Sequence, residues 1–359
     1  MEQTRLEKIA AMVKKMPVEA VLITSPVNRQ YATTFPSSAG ACLVTEQGDG
    51  YFFTDFRYIE AAEKAAAPQG YQVQMVTGGD YMTPLAALLK KHQVKTLGYE
   101  DRRMSVSAYH QYEQALPCRL TPLGGRLEEV RQVKEEGEVE YIVIAQRMAE
   151  AAFEELLPMI RPGVTEKQLA AELNYRMLCH GAEGMSFDII AVSGPNSSMP
   201  HGVPGERQVQ KGDFITFDFG ALYKGYHSDM TRTVAVGEVS EEMRQVYDTV
   251  LRANVACCQE MKAGCIGGDI HQLALDIISK EGYGEYFQHG LGHSVGLEIH
   301  EDPRASLNGT AKLECGNVLT VEPGIYLPGK FGVRIEDMIW LSPDGPKNLT
   351  NAPKELLIL

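Results

Sequence analysis

Two hairpin patterns in this sequence carry an acidic residue on each of their strands. In the first, the strand pattern 213–220 (DFITFDFG) holds Asp218 and the strand pattern 228–236 (SDMTRTVAV) holds Asp229. A hairpin folded symmetrically about residues 223–224 places the two carboxylates opposite each other, with Cβ atoms about 5 Å apart. Acidic residues are disfavoured in strands, and facing like charges are destabilising unless a cation lies between them. One such hairpin could arise by chance, but a bound cation would explain it.

A second hairpin pattern repeats this arrangement with Glu322 and Glu336. The strand pattern 319–322 (LTVE) leads into a turn at 328–330 (PGK), and the strand pattern 332–336 (GVRIE) leaves it. Folding about the middle of this turn brings the two glutamates face to face. Solvated carboxylates at a sheet edge are the alternative interpretation. Two such hairpins, on strands otherwise rich in apolar residues, favour a buried site instead.

A glycine-rich segment between the hairpins, 288–301 (QHGLGHSVGLEIHE), adds His289, His293 and His300. A single histidine is more often a hydrogen-bonded core residue than a metal ligand, but three histidines beside two acidic hairpins favour a site. Four carboxylates and one imidazole form an oxygen-rich donor set that suits Mn²⁺ first, with Co²⁺ and Zn²⁺ as alternatives. Four negative charges call for two divalent ions.

The elements that must position these residues fall into two regions. Residues 1 to about 123 alternate between helix and strand patterns, as expected for an α/β domain. The predicted helices lie near 2–15, 57–67, 84–92 and 106–115, and the predicted strands near 20–24, 41–45, 51–54, 71–76 and 96–99. We place a charged linker at 126–134, between a first domain at 1–125 and a second domain at 135–359.

The second region contains two similar helix pairs, which predict an internal duplication. In each pair a long helix is followed by a shorter one. The helix-start signals of the shorter helices are Thr165 and Asp269, each followed three residues later by glutamine. The shorter helices are expected to end at Gly181 and Gly282. Strands follow each pair.

Composition limits the classes of function. The chain has 359 residues, of which 44% are hydrophobic and 23% charged, so it is a globular protein and not a disordered or collagenous one. Its net charge of -13 disfavours nucleic acid and anionic membranes as partners. Its 7 cysteines are odd in number and lack C-x-x-C spacing, which favours the reducing cytoplasm. The first thirty residues contain no apolar run typical of a signal peptide or a membrane span.

Five motifs together make the chain resemble the pita-bread metallopeptidases of the Xaa-Pro dipeptidase (prolidase) and aminopeptidase P type. The motifs are FDFG at 217–220, GYHSDMTRT at 225–233, GHSVGLEIHE at 292–301, VEPG at 321–324 and VRIED at 333–337. The resemblance implies a creatinase-like α/β amino-terminal domain plus an α+β pita-bread (creatinase/aminopeptidase-like) catalytic domain with internal pseudo-duplication. It also implies hydrolysis of the peptide bond before proline in Xaa-Pro dipeptides or short Xaa-Pro peptides.

By the same resemblance, two metal ions share five ligands. Asp218 would bind one ion, His293 and Glu322 the other, and Asp229 and Glu336 would bridge the two. A water or hydroxide between the ions would be the nucleophile, because two nearby divalent ions lower the pKa of water and polarise the scissile carbonyl. Glu322 would accept the proton of that water.

Three further residues are assigned to the substrate by this resemblance. His201, in the segment 198–202 (SMPHG), and His300 would donate hydrogen bonds to the substrate or intermediate. Arg304, in the segment 300–304 (HEDPR), is similar to an arginine of some microbial Xaa-Pro dipeptidases. It would hold the free carboxylate of a dipeptide through two parallel hydrogen bonds. A surface ion pair with a neighbouring acid is the alternative role of Arg304.

Two positions depart from the usual family pattern, since Ser294 and Thr34 stand where glycine is common. Neither is an expected ligand, so these departures concern loop geometry and substrate preference and leave catalysis intact. Two other functions compete: a non-catalytic peptide-binding module of the same fold, and a metal-free amidinohydrolase of the creatinase type. The complete set of five ligands argues against both. The resemblance further implies a homodimer that acts on short proline-containing peptides.

Overall fold

The computed structural model describes residues 3–359 and divides them into two units. One unit extends to Arg131 and the other spans Gln132–Leu359. Residues 1 and 2, where the first predicted domain and helix begin, lie outside the described residues. Within residues 3–359, no helix is both long enough and apolar enough to cross a membrane.

The first unit is an α/β domain, as predicted. Its helices are α1 (Arg5–Val13), α2 (Pro26–Thr33), α3 (Ile59–Ala66), α4 (Met82–Lys91), α5 (Val106–Ala115) and α6 (Arg126–Gln132), which ends at the unit boundary. Its strands are β1 (Ala20–Ile23), β2 (Ala41–Thr45), β3 (Gly50–Thr54), β4 (Tyr71–Met75), β5 (Thr96–Tyr99) and β6 (Arg119–Pro122). They form a mixed sheet in the order β4-β3-β2-β1-β5-β6, antiparallel at β1–β2 and β2–β3 and parallel elsewhere.

Two elements of this unit, α2 and β6, are absent from the sequence prediction. Helix α2 buries the polar residues Asn28 and Arg29, so it lacks the apolar stripe that periodicity detects. A buried carboxylate holds the helix instead, because Glu100 accepts hydrogen bonds from Asn28 Nδ2 at 2.7 Å and from Ser25 Oγ at 2.6 Å. Thr34 ends α2 with a φ of 58°, in the left-handed region where glycine is favoured. Strand β6 is a partly exposed edge strand that ends in proline.

The stretch 126–134, predicted as a linker, contains helix α6. Leu127 and Arg131 of this helix are buried. Arg131 Nη1 donates a 2.6 Å hydrogen bond to the side-chain oxygen of Asn28. This buried contact makes α6 part of the first unit, whose boundary follows Arg131.

The second unit consists of two halves that each contain a long helix, a shorter helix and a group of strands. Its helices are α7 (Glu136–Leu156), α8 (Glu166–Cys179), α9 (Glu241–Glu260) and α10 (Gly267–Lys280). The strands of the first half are β7 (Gly184–Met185), β8 (Ile190–Ser193), β9 (Phe214–Phe219), β10 (Ala221–Tyr223), β11 (Tyr226–His227) and β12 (Met230–Ala235). Those of the second half are β13 (Gly292–Ser294), β14 (Glu301–Ala305), β15 (Val318–Val321), β16 (Gly324–Leu327), β17 (Phe331–Arg334), β18 (Asp337–Ser342) and β19 (Gly345–Asn348).

The strands of the two halves pair separately. In the first half they form the orders β12-β9-β8 and β11-β10-β7, and in the second the orders β14-β13-β15-β18-β19 and β16-β17. One apolar core combines residues of α7, α8 and β9, and another combines residues of α9, α10 and β15. Each half therefore fixes its own hairpin against its own helix pair.

The predicted starts of α8 and α10 have different outcomes. Thr165 caps α8 through a reciprocal pair of hydrogen bonds with Gln168, as predicted. The prediction for Asp269 is wrong, because α10 already begins at Gly267 and Asp269 lies in its first turn. A negative charge in that turn is favourable through the helix dipole, which accounts for an acidic residue at this position. The glycines that follow α8 and α10 both have positive φ.

The predicted register of the first acidic hairpin is wrong by one residue at the turn. The turn lies at Lys224 and Gly225 and not at the predicted residues 223–224. The φ values of Lys224 and Gly225, 51° and 76°, suit a two-residue hairpin loop. Asp218 consequently pairs with Thr231, and Asp229 lies just before β12. Because side chains alternate between faces with a period of two, Asp229 stays on the face of Asp218 as a diagonal neighbour.

The predicted register of the second acidic hairpin is confirmed. Val321 pairs with Asp337 on one side of the two glutamates, and Gly324 pairs with Arg334 on the other. Glu322 and Glu336 lie between these pairs, in register. Their own amides leave the ladder, since Glu322 donates to Leu291 O at 2.8 Å and Glu336 donates to Thr231 O at 3.1 Å. These two hydrogen bonds connect the hairpin to β12 and to Leu291, the residue before β13.

A buried arginine connects this hairpin to the end of the chain. Arg232 Nη2 lies 2.8 Å from Asp337 Oδ1, and the side chains are 2% and 0% exposed. Arg232 Nη1 donates to the carbonyl oxygens of Glu336 at 2.6 Å and Thr231 at 2.9 Å. Its other nitrogens donate to the carbonyls of residues 352–353. One guanidinium therefore joins β12, the Glu336 backbone and the carboxy-terminal segment.

Replacing Arg232 should destabilise the second unit strongly. In Arg232→Met, four carbonyl oxygens lose their donor and the buried Asp337 loses one cation, so we expect the free energy of unfolding to fall by about 3–5 kcal/mol. Urea unfolding followed by the fluorescence of Trp340, the single tryptophan of the chain, measures this change. Arg244→Met, at an exposed position of α9, is the control and should change it by less than about 0.5 kcal/mol. Equal effects of the two variants would contradict the analysis.

Candidate metal centre

The five predicted metal ligands meet in one cavity of the second unit. Three of them lie at strand ends: Asp229 just before β12, Glu322 just after β15 and Glu336 just before β18. Asp218 lies on β9 and His293 on β13. All five line a cavity of about 680 Å³. The structure brings together every residue of the predicted set.

The ligand atoms lie within reach of a shared cation. One donor atom from each of Asp229, His293 and Glu336 lies within 4.8 Å of the other two. His293 Nε2 is 3.7 Å from Asp229 Oδ2 and 3.5 Å from Glu322 Oε1. These separations are longer than hydrogen bonds, and they leave space between the donors for an ion.

Asp218 differs from the other ligands because an arginine already binds one of its oxygens. Arg334 Nη2 lies 2.6 Å from Asp218 Oδ2. Asp218 Oδ1 is buried and has no hydrogen-bond partner within residues 3–359. A buried carboxylate oxygen without a partner is destabilising. A cation bound at Oδ1 would remove this deficit, so the residues present fit a metal ion.

The pKa values of the buried acids show how strongly these carboxylates need positive charge. Burial raises the pKa of Asp229 well above its usual range, and the charges of Asp218 and Glu322 raise it further. Burial and the charges of the neighbouring acids likewise raise the pKa of Glu336. Burial raises the pKa of Glu322 to about 8, although the nearby Arg334 acts in the opposite direction. Divalent cations would reverse these shifts, because they stabilise the ionised carboxylates.

His293 is already prepared as a neutral ligand. Burial, with a smaller contribution from the charge of the neighbouring His300, lowers the pKa of His293 to about 4. Its Nδ1 lies 3.1 Å from the carbonyl oxygen of Ser294, which can only accept, so Nδ1 carries the proton. The lone pair of Nε2 therefore points to the acids and can bind a metal.

Two threonines orient the glutamates. Thr231 Oγ1 donates to Glu336 Oε2 at 2.7 Å, and Thr320 Oγ1 donates to Glu322 Oε1 at 3.2 Å. Thr320 Oγ1 also accepts a 3.0 Å hydrogen bond from the amide of His293. The same hydroxyl thus links the carboxylate of one candidate ligand, Glu322, to the backbone of another, His293.

Two motif glycines allow the backbones around the site to approach each other. A Cβ atom at Gly292 would lie 1.9 Å from the carbonyl oxygen of Thr320, and one at Gly220 would lie 1.8 Å from that of Ser228. No side chain fits at these positions. The glycines therefore bring His293 next to β15 and bring Asp218 and Asp229 together.

His201, His300 and Arg304, the residues predicted to contact the substrate, line the same cavity. The His300 ring lies against the His293 ring, with a centroid separation of 4.4 Å and an interplanar angle of 70°. Partial burial lowers the pKa of His300, and the charges of Arg304 and His201 lower it further. Arg304 pairs with His293 across β13 and β14, so its side chain lies on the face of the ligands. Its nearest acid is Asp302, at 3.7 Å and exposed.

Sequence analysis missed a chain of hydrogen bonds behind Asp218. Arg334 Nη1 donates to Tyr326 Oη at 2.7 Å, and Tyr326 Oη lies 3.0 Å from His289 Nε2. His289 Nδ1 donates to Gly290 O, so Nε2 is the acceptor of the Tyr326 proton. Strand alternation could have identified Arg334, which lies two residues before Glu336 and hence on its face. No local pattern indicates Tyr326.

The arrangement as a whole suits hydrolysis assisted by metal ions. It combines four acidic candidate ligands and one neutral imidazole with two exposed histidines and one exposed arginine in a single cavity. Such a site can bind divalent cations and present donors to a polar substrate.

Comparison with known families covers both units. Residues 140–343 match the model of metallopeptidase family M24. Residues 5–133 match the model of the Creatinase/Prolidase N-terminal domain. The resemblance inferred from five motifs is confirmed.

Individual relatives extend over nearly the whole chain. The Xaa-Pro dipeptidase of Pyrococcus furiosus is 35% identical over 355 residues, which cover 98% of this chain and 99% of that protein. The structure of the Xaa-Pro dipeptidase from Bacillus anthracis is 40% identical and matches with a TM-score of 0.95 over 99% of each chain. The X-Pro aminopeptidase from Thermotoga maritima is 37% identical, with a TM-score of 0.91 over 97% of this chain and 100% of that chain. By its motifs, its two matched domains and these relatives, the chain belongs to metallopeptidase family M24.

Proposed function

We propose that this protein is an Xaa-Pro dipeptidase, which uses two divalent metal ions to hydrolyse the peptide bond before proline and releases the amino-terminal residue. The observation that carries the proposal is the cavity in which four carboxylates and His293 converge beside His201, His300 and Arg304. Relatives named Xaa-Pro dipeptidase, which align over nearly the whole chain, support the choice of substrate.

The five ligands would hold the two ions in a shared site. The residues that would hold the ions are Asp218, Asp229, His293, Glu322 and Glu336, and Asp229 and Glu336 would each serve both ions. Bound divalent ions supply Lewis acidity, which makes water more acidic and polarises a carbonyl oxygen. The oxygen-rich donor set favours Mn²⁺, with Co²⁺ and Zn²⁺ as alternatives.

Glu322 is the proposed general base. Thr320 binds Oε1 of this carboxylate, so the second oxygen is left to take the proton of the attacking water. Without cations, burial raises the pKa of Glu322 to about 8, and the group would be protonated at neutral pH. Positive charge in the site is therefore required before Glu322 can act as a base.

His201 and His300 are the proposed hydrogen-bond donors to the substrate. Both are exposed at the cavity, so a bound peptide can reach them. A donor aimed at the carbonyl oxygen stabilises the negative charge that develops there during attack. The contact between the rings of His300 and His293 keeps the His300 donor close to the ligands.

Arg304 is the proposed binding group for the carboxylate of a dipeptide. Arg304 pairs with His293 across β13 and β14, which supports a position of its guanidinium near the proposed ions. In a dipeptide, the free carboxylate is separated from the scissile carbonyl by a single residue. Since the exposed Asp302 is 3.7 Å away, its ion pair with Arg304 is weak and can yield to a substrate.

The second candidate function is Xaa-Pro aminopeptidase, which acts on longer peptides. Similarity to the X-Pro aminopeptidase from Thermotoga maritima favours this function. Arg304 favours the dipeptidase, because a longer peptide has an amide where a dipeptide has its carboxylate. A peptide-binding module without activity and an amidinohydrolase of the creatinase type are disfavoured by the complete ligand set.

Three broader properties belong to the proposal. Catalysis is assigned to residues 135–359, because the first domain contributes none of the proposed ligands. The absence of C-x-x-C spacing among the 7 cysteines supports a cytoplasmic location. The resemblance to prolidases supports a homodimer.

Removing the metals should abolish hydrolysis and lower the melting temperature. With Mn²⁺ bound, the protein should release proline from Ala-Pro and contain about two ions per chain, whereas Ala-Ala, the control, should be a poor substrate. Chelation should lower the melting temperature, because the ions bind only the folded state and separate the repelling acids. Proline release, metal analysis and calorimetry measure the three effects. An unchanged melting temperature after verified chelation would contradict the shared site.

The bridging residues should differ from Asp218 in metal content. Asp229→Asn and Glu336→Gln should abolish activity and empty both metal positions, because each residue is proposed to bind both ions. Asp218→Asn should mainly empty one position. Metal analysis of the three purified variants against the wild type separates these outcomes. Two ions per chain in either bridging variant would refute the assignment.

Arg304→Ala should affect dipeptides selectively. We expect the KM for Ala-Pro to rise about tenfold or more with little change in kcat, because the arginine supplies ground-state binding. Activity on the tripeptide Ala-Pro-Ala should scarcely change. Asp302→Ala is the matched control, since it removes the neighbouring acid and keeps the arginine. Equal losses on both substrates, or a wild-type preference for the tripeptide, would move the assignment to aminopeptidase.

A further inference from the structure

A buried ion pair that belongs to no proposed ligand, Lys134–Glu301, lies beside a proposed substrate-binding residue. Lys134 Nζ is 2.9 Å from Glu301 Oε2, and the two side chains are 1% and 5% exposed. Glu301 directly follows His300 in the chain. Burying two charges opposes folding, and apolar side chains of similar volume can often replace such a pair without loss of stability. The position of the pair therefore points to a role beyond stability.

The main chain fixes the lysine end of this pair. The amide of Lys134 donates to the carbonyl oxygen of Gly316 at 2.9 Å. Asn317 Nδ2 donates to the carbonyl oxygen of Gln132, also at 2.9 Å. Both partners directly precede β15, the strand that leads to Glu322. Lys134 thus extends from a backbone segment that is anchored on the scaffold of the metal site.

The glutamate end holds a turn, which we call the His300 turn and define as residues 296–301. Glu301 Oε1 accepts a 3.2 Å hydrogen bond from the amide of Glu298. The carboxylate also packs against Gly296, where an added Cβ atom would lie 2.7 Å from Oε2. The amide of Gly296 donates in turn to Glu298 O at 3.1 Å. One carboxylate therefore organises the turn from inside and connects it to Lys134.

His300 depends on this turn for its position. Its side chain is exposed, and its imidazole makes no hydrogen bond in the part of the chain that the structure describes. Its ring instead contacts the His293 ring edge-on at 4.4 Å. A ring held by one contact and by its own backbone moves when that backbone moves.

We propose that the Lys134–Glu301 pair is a positioning device for His300. Lys134 fixes Glu301, Glu301 fixes the His300 turn, and the turn aims the His300 imidazole at the substrate carbonyl. Lys134 does not line the cavity, so it is a positioning residue and not a catalytic one. The role given to His300 rests on the proposed function, whereas the ordering of the turn does not.

Hydrogen exchange tests the ordering of the turn without reference to activity. Lys134→Met keeps the length of the side chain and removes its charge. In the metal-loaded protein, we expect amide exchange within residues 296–301 to accelerate about tenfold or more, as measured by mass spectrometry. Lys330→Met removes the exposed pair with Glu242, at 2.8 Å, and is the matched control that should leave this segment unchanged. Unchanged exchange in Lys134→Met would overturn the proposal.

A double-mutant cycle tests whether Lys134 acts through His300. Lys134→Met should lower kcat for Ala-Pro by about 10- to 100-fold while two metals stay bound, because a displaced donor stabilises the transition state poorly. Combined with His300→Ala, it should cause no further loss beyond that of His300→Ala alone. If the losses in kcat of the two single variants multiply in the double variant, Lys134 acts independently of His300, and the proposal is overturned.

Two further outcomes are distinguishable. A metal-loaded wild type that does not hydrolyse Ala-Pro refutes the proposed function, and the exchange measurement then decides alone whether the pair orders the turn. If Lys134→Met does not fold, Glu301→Gln replaces it, since glutamine keeps the shape and an acceptor for the Glu298 amide but removes the charge that Lys134 binds. Accelerated exchange in this variant supports the proposal, and unchanged exchange overturns it.

Discussion

Four carboxylates share one cavity in the second unit, and the other features of the site follow from the electrostatic consequences of placing them there. Burial and mutual repulsion raise the pKa values of Asp229, Glu322 and Glu336. The buried negative charge must be compensated by hydrogen-bond donors of the protein or by bound cations. Hydrogen-bond donors of the protein supply only part of this compensation, because one buried oxygen of Asp218 has no hydrogen-bond partner within the described residues. The protein is therefore built to be completed by positive charge.

The scaffold meets this constraint through backbone contacts as much as through side chains. Gly220 and Gly292 allow neighbouring strands to approach so closely that the acids and the imidazole converge. The guanidinium of Arg232 binds the Glu336 carbonyl and the carboxy-terminal segment at once. Elements that stabilise the fold thus also determine the positions of the candidate metal ligands. The proposed role of the Lys134–Glu301 pair follows the same principle, since a buried charge pair outside the cavity orders a turn at its edge.

Sequence periodicity predicted the two acidic hairpins with unequal success. The turn centred on Gly329 was placed correctly, so Glu322 and Glu336 face each other in the predicted register. The turn at Lys224 and Gly225 was misplaced by one residue, because symmetry was judged without the positive φ values that a two-residue loop requires. Helix α2 escaped detection for a different reason: hydrogen bonds to Glu100 hold its buried face, and polar contacts across 72 residues leave no local pattern.

The acids and histidines on strands or in glycine-rich turns, and the family that their motifs indicate, could be identified from the amino-acid sequence. The residues of each motif lie close together in the chain, so these features could be inferred without coordinates. The partners that complete the site, in contrast, are apparent only from the folded chain. Arg334 reaches Asp218 across 116 residues, and Lys134 reaches Glu301 across 167. Such partners are selected by the packing of distant elements, and packing depends on the fold of the whole unit and not on the spacing of residues along the chain.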